Sequence, residues 1–378
     1  MKLLFGFALA VALMGCGGEQ SSKTQADAVQ PRAQWTPQEA NDWYNKQPWL
    51  VGANFVPSTA INQLEMWQSE TFDTATIDRE LGWAASIGMN TARVYLHDMV
   101  FEQGAEAFLE RIDVFLQIAA RHGIKPLLVL FDSVWDPFPR PGKQREPKPG
   151  VHNSGWVQNP GKEVLLDSTQ YPRLEKYVKA VVGRFAKDER VIGWDLWNEP
   201  ENMNNDEYRP HEPQNKPALV EALLAQCYNW ARSVGPIQPL TAGLWSGDWS
   251  APEKLKSIET LMVTESDVIS FHNYSTAESF EKEIKELQRY GRPIFCTEYM
   301  ARGNNSTFEG SLPIAKKYNV AAYNWGLVDG KSQTKYAWDS WKKAYSGEPP
   351  IWFHDIFHKD GKPYKQEEAD LIRELTGR

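Results

Sequence analysis

The chain has 378 residues, 42% of them apolar, and a formal net charge of −8. That length and apolar content allow a large core, and an acidic balance with no run of Lys or Arg argues against a nucleic-acid partner. Trp occurs 16 times; some of these pack in a core, but the flat indole face with its N–H edge also suits stacking on sugar rings.

The elements begin with Lys2, an apolar run over residues 3–14, and then Gly15-Cys16. The run is too short to span a bilayer and reads as a signal peptide. Leu13-Met14-Gly15-Cys16 resembles a bacterial lipobox, in which cleavage precedes a Cys that carries lipid. An ordinary signal with a chance Cys is the weaker reading, because Leu13 and Gly15 both stand where the motif wants them. Gly17 rather than Asp follows, so inner-membrane retention is not signalled and an outer-membrane or cell-surface address is expected. Residues 17–34 are rich in Gly, Ser, Gln and Ala and read as a flexible tether. The expected organisation is a signal peptide over 1–15, a lipidated tether over 16–40 and one domain over 41–378, a monomer attached to the membrane through Cys16. Cys227 and Cys296 lie in apolar periodic segments and are expected as buried thiols rather than a disulfide.

Strand and helix patterns then alternate. Strands are predicted at 50–57, 91–96, 125–131, 192–197, 240–244, 268–272, 293–298 and 320–325. The third is apolar almost throughout, as a strand buried on both faces should be. Between them lie helical stripes: Phe108, Ile112, Phe115 and Ala119; then Leu174, Tyr177, Val178, Val181, Val182 and Phe185; then Val220, Leu223, Leu224, Cys227, Tyr228 and Ala231; then Phe280, Ile284 and Leu287. Further helices are predicted at 73–87, 253–262, 312–318 and 366–375. Eight alternations predict an α/β fold, a (β/α)8 TIM barrel with one catalytic domain. A doubly wound open sheet would carry fewer strands and a Gly-rich turn after the first, and Asn54-Phe55-Val56-Pro57 is no phosphate cradle. The long segments 132–170, 200–216 and 328–366 all follow strands, so they gather on the face where such barrels place active sites. They carry Trp135, Trp156, Trp338, Trp341 and Trp352.

Polar residues at strand ends point into the shared mouth. They are Arg93 and His97, Asp132, Asn198 and Glu199, His272 and Tyr274, Glu298, and Trp325 at the eighth strand. Glu199 and Glu298 lie three strands apart and face each other. Two such carboxyl groups are what glycoside hydrolysis needs: one protonated to donate to the leaving oxygen, one ionised to attack the anomeric carbon or activate water. Arg93 and Tyr274 can hold a carboxylate ionised, Asn198 can strengthen a hydrogen bond as the transition state forms, and Trp325 can stack on a sugar ring.

Trp197-Asn198-Glu199-Pro200 on the fourth strand and Thr297-Glu298-Tyr299 on the seventh resemble the retaining glycosidases of clan A, most closely glycoside hydrolase family 5, which includes cellulases and mannanases. The resemblance runs from Arg93 through Trp325. It implies Glu199 as acid/base, Glu298 as nucleophile, and Asn198 on the sugar 2-hydroxyl. It implies Arg93 and Tyr274 as supports of the nucleophile, with His272 as the strand-six His and Trp325 as the floor under the sugar on the nonreducing side of the cut. The family usually has a His near the end of strand three. This chain has Phe131-Asp132-Ser133-Val134-Trp135 there, and His97 is the expected substitute. In the polar stretch after strand eight, Lys331 and Gln333 are expected to contact sugar.

Asn-Glu-Pro alone could be nothing more than a helix start; five further strand ends with fitting residues argue otherwise. His354 and His358, four apart, could suggest a metal pair, but the surrounding residues favour a structural loop, and no metal or cofactor is implied. The expected function is a retaining β-glycosidase acting on poly- or oligosaccharides such as glucan, mannan or xylan. A glycan-binding lipoprotein on an inactive barrel and a transglycosylase are the alternatives.

Overall fold

A computed structural model describes Met1 and residues 30–378. The lipobox at residues 13–16, with Cys16, and the tether up to residue 29 lie outside the described residues. In chain order the elements are α1 (Pro37–Tyr44), β1 (Val51–Asn54), α2 (Gln63–Trp67), α3 (Thr74–Ser86), β2 (Thr91–Tyr95), α4 (Asp98–Gln103), α5 (Ala105–Arg121) and β3 (Lys125–Val129). They continue with α6 (Lys162–Leu166), α7 (Tyr171–Arg184), β4 (Gly193–Asp195), α8 (Lys216–Ser233), β5 (Leu240–Thr241), α9 (Ser257–Glu265) and β6 (Ile269–Asn273). The last are α10 (Ala277–Leu287), β7 (Ile294–Tyr299), α11 (Phe308–Lys317), β8 (Ala321–Asn324) and α12 (Gln366–Thr376).

The strands pair in the order β5-β4-β3-β2-β1-β8-β7-β6, all parallel. A parallel bridge between Leu244 and Phe271 closes the remaining gap. There the Leu244 amide donates to the Ser270 carbonyl at 3.0 Å and the His272 amide to the Leu244 carbonyl at 2.8 Å. The architecture is the expected (β/α)8 barrel. Every strand residue except Lys125 is buried, which is why the third strand reads as an apolar run without alternation.

The barrel interior has two ends. At the base, Leu50, Leu127, Ile192, Val268, Phe295, Ala321 and Tyr323 form an apolar plug. Outside the sheet, the predicted stripes of α5, α7, α8 and α10 are buried in the main core. Cys227 and Cys296 are free thiols and buried, as expected.

The tether expected over 16–40 needs correction at its end. Arg32 pairs with Asp267, the Trp35 amide donates to Asp267 Oδ1 at 2.8 Å, and α1 seals the base of the barrel with Tyr44 against Phe295. The cause is local. Thr36-Pro37-Gln38-Glu39 is a capping box, with the Glu39 amide donating to Thr36 Oγ1 at 3.2 Å and the Thr36 amide to Glu39 Oε2 at 2.7 Å. Pro37 supplies a helical φ at the first position.

The β8–α12 segment is fastened from below. Arg302, buried, donates to Glu368 Oε1 at 2.8 Å and to the carbonyls of Trp352 at 3.0 Å and Asp355 at 3.1 Å. Glu368→Ala would leave that guanidinium without its carboxylate, a change that costs about 3–5 kcal/mol in buried pairs. Urea unfolding of the two proteins checks this; a variant as stable as the wild type would show the pair to be dispensable.

Candidate active site

The open end of the barrel interior is polar, and it is organised around Arg93 on β2. This side chain has no solvent exposure. Its Nε and Nη2 donate to Asp195 Oδ2 at 2.9 and 2.7 Å, and Nη2 also donates to Asn198 Oδ1 at 2.7 Å. Its Nη1 donates to Asn54 Oδ1 at 3.0 Å and to Glu298 Oε1 at 2.9 Å. Tyr95, two residues along the same strand and so on the same face, donates to Glu298 Oε1 at 3.0 Å. Tyr274, just past β6, donates to Glu298 Oε2 at 2.7 Å. Glu298 therefore accepts from one guanidinium and two phenols.

Local backbone irregularities aim the two glutamates. Glu199 has φ of +43°, a left-handed conformation uncommon for a residue with a side chain. It interrupts the strand alternation, so that consecutive Asn198 and Glu199 both line the cleft. On β7 the pairing shifts register, so that His272 lies opposite Glu298 and Thr297 is skipped. The Thr297 carbonyl is caught by Asn54 Nδ2 at 2.8 Å. Such bulges re-aim side chains beside active sites.

Glu199 has a different environment from Glu298. It is 8% exposed. It accepts from Asn202 Nδ2 at 2.6 Å and lies 2.8 Å from His272 Nδ1. Burial pushes its carboxyl from 4.5 up to about 7. The same desolvation holds His272 down to about 4, so the imidazole is neutral at pH 7 and adds no cation. Glu199, His272 and Glu298 each place one side-chain ligand atom within 4.8 Å of the others. Among the described residues this is the grouping with metal-ligand spacing, but a cation on Glu298 would share its carboxylate with the Arg93 guanidinium, and the donor set suits an anion there.

Two more residues complete the arrangement. Asp132, past β3, accepts from Asn198 Nδ2 at 3.0 Å and from Trp156 Nε1 at 2.6 Å. It fixes the Asn198 amide with its oxygen toward Arg93, and burial raises its own carboxyl to about 7. Trp325 forms one wall with Tyr95 and Trp156, the three rings meeting edge to face at 5.0–5.9 Å. The cleft holds about 1290 Å³ of empty space, with Glu199, Glu298, Asn198, His272, Tyr274 and Trp325 all on its lining.

Three expected contacts are placed elsewhere. His97 is fully buried away from the cleft. Its Nδ1 accepts from the Met99 amide at 3.2 Å, and its Nε2 lies 3.1 Å from the Gln158 carbonyl. β2 ends at Tyr95, and the chain turns into α4 with His97 as its N-cap, so strand alternation no longer governs where the ring points. Lys331 pairs with Glu65 at 2.6 Å. Gln333 donates to the carbonyls of Lys148 at 2.7 Å and Val151 at 3.0 Å and accepts from the Gly150 amide at 3.0 Å. His354 and His358 behave as the structural reading expects: His354 Nδ1 lies 2.6 Å from the Met300 carbonyl, and His358 packs on Trp352. Asp132 is one of the strand-end residues expected at the mouth, and Tyr95, Asp195 and Asn54 join the site without appearing among them. Tyr95 follows from the two-residue period of Arg93, and Asp195 from being a charge inside an apolar strand that needs a partner.

Residues 54–344 match the protein family described as Cellulase (glycosyl hydrolase family 5). Among curated proteins, the chain is similar to mannan endo-1,4-beta-mannosidase A of Emericella nidulans, 30% identical over 92 residues, which cover 24% of this chain and 22% of that protein. The match thus spans under a quarter of the curated relative's length. Among solved structures, an exo-beta-1,4-mannosidase from an Opitutaceae bacterium aligns with a TM-score of 0.59 at 18% identity, covering 87% of this chain and 60% of that one. An endo-beta-1,4-mannanase from Thermotoga petrophila aligns with a TM-score of 0.57 at 14% identity, covering 89% and 77%. At these identities the structural likeness speaks for the fold.

The raised Glu199 carboxyl has a thermodynamic signature. Below 4.5 it is protonated in both folded and unfolded chains; between 4.5 and about 7 the unfolded chain ionises it while the folded chain does not, so folding is penalised progressively. Glu199→Gln removes that penalty. Its stability relative to wild type should climb by about 3 kcal/mol as pH rises through this window and stay level above it. Unfolding midpoints measured across the window check this; a pH-independent difference would contradict it.

Proposed function

This chain belongs to glycosyl hydrolase family 5, and we propose that it is a retaining β-glycosidase of β-linked glycans, with a mannan backbone the favoured substrate. In this reading Glu298 is the nucleophile and Glu199 the acid/base. The observation that carries it is the unequal treatment of two carboxyl groups whose oxygens lie within 4.8 Å of each other. Retaining enzymes need the two carboxyl groups about 5–5.5 Å apart, and inverting ones need a wider gap for a water. Glu298 accepts hydrogen bonds from the Arg93 guanidinium and from the Tyr95 and Tyr274 hydroxyls. Glu199 has a neutral His272 beside it and a carboxyl raised to about 7, so it keeps a proton to give.

The steps follow from that division. Glu298 attacks the anomeric carbon while Glu199 protonates the glycosidic oxygen, and the leaving chain departs. A glycosyl ester forms on Glu298. Glu199, now ionised, removes a proton from water, and the water oxygen displaces Glu298. Asn198, held by Asp132 and Arg93, is positioned for the sugar 2-hydroxyl, and Trp325 for the apolar face of the ring. The mannan preference rests on the names of the relatives above, which include mannan-cleaving enzymes.

Two measurements test the reading. Glu298→Gln should lower turnover on the order of 10⁴-fold or more on every glycan the wild type cleaves; near-normal activity would refute the assignment. The acid form of Glu199 acts in the first step, so kcat/KM for natural glycosides should be present below pH 7 and fall as pH rises through about 7. That limb should flatten for aryl glycosides whose leaving group needs no proton. An unchanged limb would place the titrating group elsewhere.

A further inference from the structure

The segments around the mouth of the barrel contribute unequally to the cleft. The cleft is lined mainly from the segments after β3 through β8, while after β1 Val56 packs on the wall of Tyr95, Trp156 and Trp325 and lines the adjoining hollow. Above β1 the long β3 and β8 segments are sewn together. The Asn153 amide donates to the Ser332 carbonyl at 2.8 Å, and the Tyr345 amide to the Gly150 carbonyl at 3.0 Å. The Gln333 side chain spans the same join, and Trp135 stacks on Trp341 at 5.2 Å and 14°. Both segments are seated on the chain after β1. Asn62 donates to the Gly155 carbonyl at 2.8 Å, and the Lys331 amide donates to the Ser58 carbonyl at 3.0 Å. Gly330 lies so close that a Cβ there would stand 2.5 Å from Ser58 Cα. The seam stands at the end of the cleft that Asn153 lines.

At the inner edge of the seam is a side-chain amide, that of Asn153, whose backbone N–H is the one bonded to Ser332. Asn153 is 1% exposed and has φ of +48°, and among the described residues neither its Oδ1 nor its Nδ2 has a hydrogen-bond partner. It lines both the cleft and a small hollow of about 330 Å³ behind Trp325 and Trp156. A buried amide with both ends unpaired is unfavourable unless water or a polar ligand completes it, and a sugar hydroxyl can take the place of such a water.

The chemistry gives the cleft a direction. Glu199 protonates the leaving group, so the reducing-side part of the substrate lies toward β4 and β5. There the cleft widens past Asn202, Asn204 and Trp245 into a second hollow of about 1060 Å³ that Glu201 also lines. The sugar that bonds to Glu298 lies the other way, beside Trp325, and the seam stands beyond it.

We propose that the cleft accepts only the nonreducing terminal sugar of a β-linked chain, that Asn153 hydrogen-bonds a hydroxyl of that sugar, and that the enzyme shortens chains one sugar at a time. This rests on the two-glutamate reading. Each turnover adds one water across the terminal bond and yields one free sugar and a chain shorter by one.

The test uses wild-type protein and two pentasaccharides, β-1,4-mannopentaose and cellopentaose, each labelled at the reducing end. For the pentasaccharide cleaved, the labelled tetrasaccharide should appear first, then the trisaccharide, with free monosaccharide from the outset. Labelled disaccharide or trisaccharide among the initial products would overturn the inference and leave the glutamate assignment standing. A benzylidene cap on the nonreducing sugar should abolish cleavage; undiminished cleavage would overturn it equally. No turnover of either pentasaccharide or of nitrophenyl β-glycosides would remove the hydrolase reading and this inference together. Asn153→Ala should lower kcat/KM roughly ten- to hundredfold on the natural terminus. On one member of a panel of terminal sugars, each lacking a single hydroxyl, it should cost nothing further. An equal loss on every member would show that Asn153 acts on the fold and not on the sugar.

Discussion

A guanidinium sealed from solvent at the open end of the barrel sets the terms for everything around it. Arg93 cannot shed its proton, so the strands have to bring acceptors to it. They come from Asn54 on β1, Asp195 and Asn198 on and beyond β4, and Glu298 on β7, with Arg93 itself on β2. One side chain thereby fixes how four strands are set against one another at the mouth. Desolvating such a charge is expensive unless its partners are all in place, so the geometry needed for chemistry is also the geometry that makes the interior tolerable. Stability and catalytic arrangement are the same set of contacts here.

That arrangement also separates the two glutamates electrically. Glu298 lies directly against the guanidinium, whereas Glu199 is reached by the amide of Asn202 and by His272. A protonated imidazole at 2.8 Å would pull the Glu199 carboxyl back toward its ordinary value. Burial prevents this by keeping His272 neutral, so the same enclosure raises the acid and disarms the base next to it. Asp132 follows the same logic one layer out: buried, raised to about 7, and bonded to the amide of Asn198 and the indole of Trp156. It lies just past the end of β3, and its hydrogen bond sets the orientation of Asn198.

How far this was legible in the sequence depended on whether a residue obeys strand or helix periodicity. The eight strands and the stripes of α5, α7, α8 and α10 announced themselves because burial on both faces of a parallel sheet, and on one face of a helix, leaves a regular trace. Arg93, Tyr274, Glu199, Glu298 and Trp325 were legible as polar or aromatic residues at strand ends. His97 was misplaced because β2 had already ended, and two residues past a strand the alternation carries no information. Lys331 and Gln333 were misplaced for a related reason: polar residues in a long loop near a mouth look alike in sequence whether they face the cleft or the neighbouring loop. α1 was missed although its capping box was in plain view at Thr36 to Glu39, since the preceding polar stretch suggested a tether that would run on.

The long loops therefore act on one another before they act on a substrate. Trp135, Asn153 and Gln333 all adopt positive φ, and such conformations persist only where the surroundings over-determine them. Here the over-determination is mutual. The β3 segment holds the β8 segment through Gln333 and the Trp135–Trp341 stack, and both are seated on the chain after β1. A loop pair fastened in this way on one side, facing a side where Asn202, Asn204 and Trp245 leave the cleft wide, makes an asymmetric mouth out of a nearly symmetric barrel. The barrel holds the two glutamates at its centre, and the seam makes one side of its mouth unlike the other.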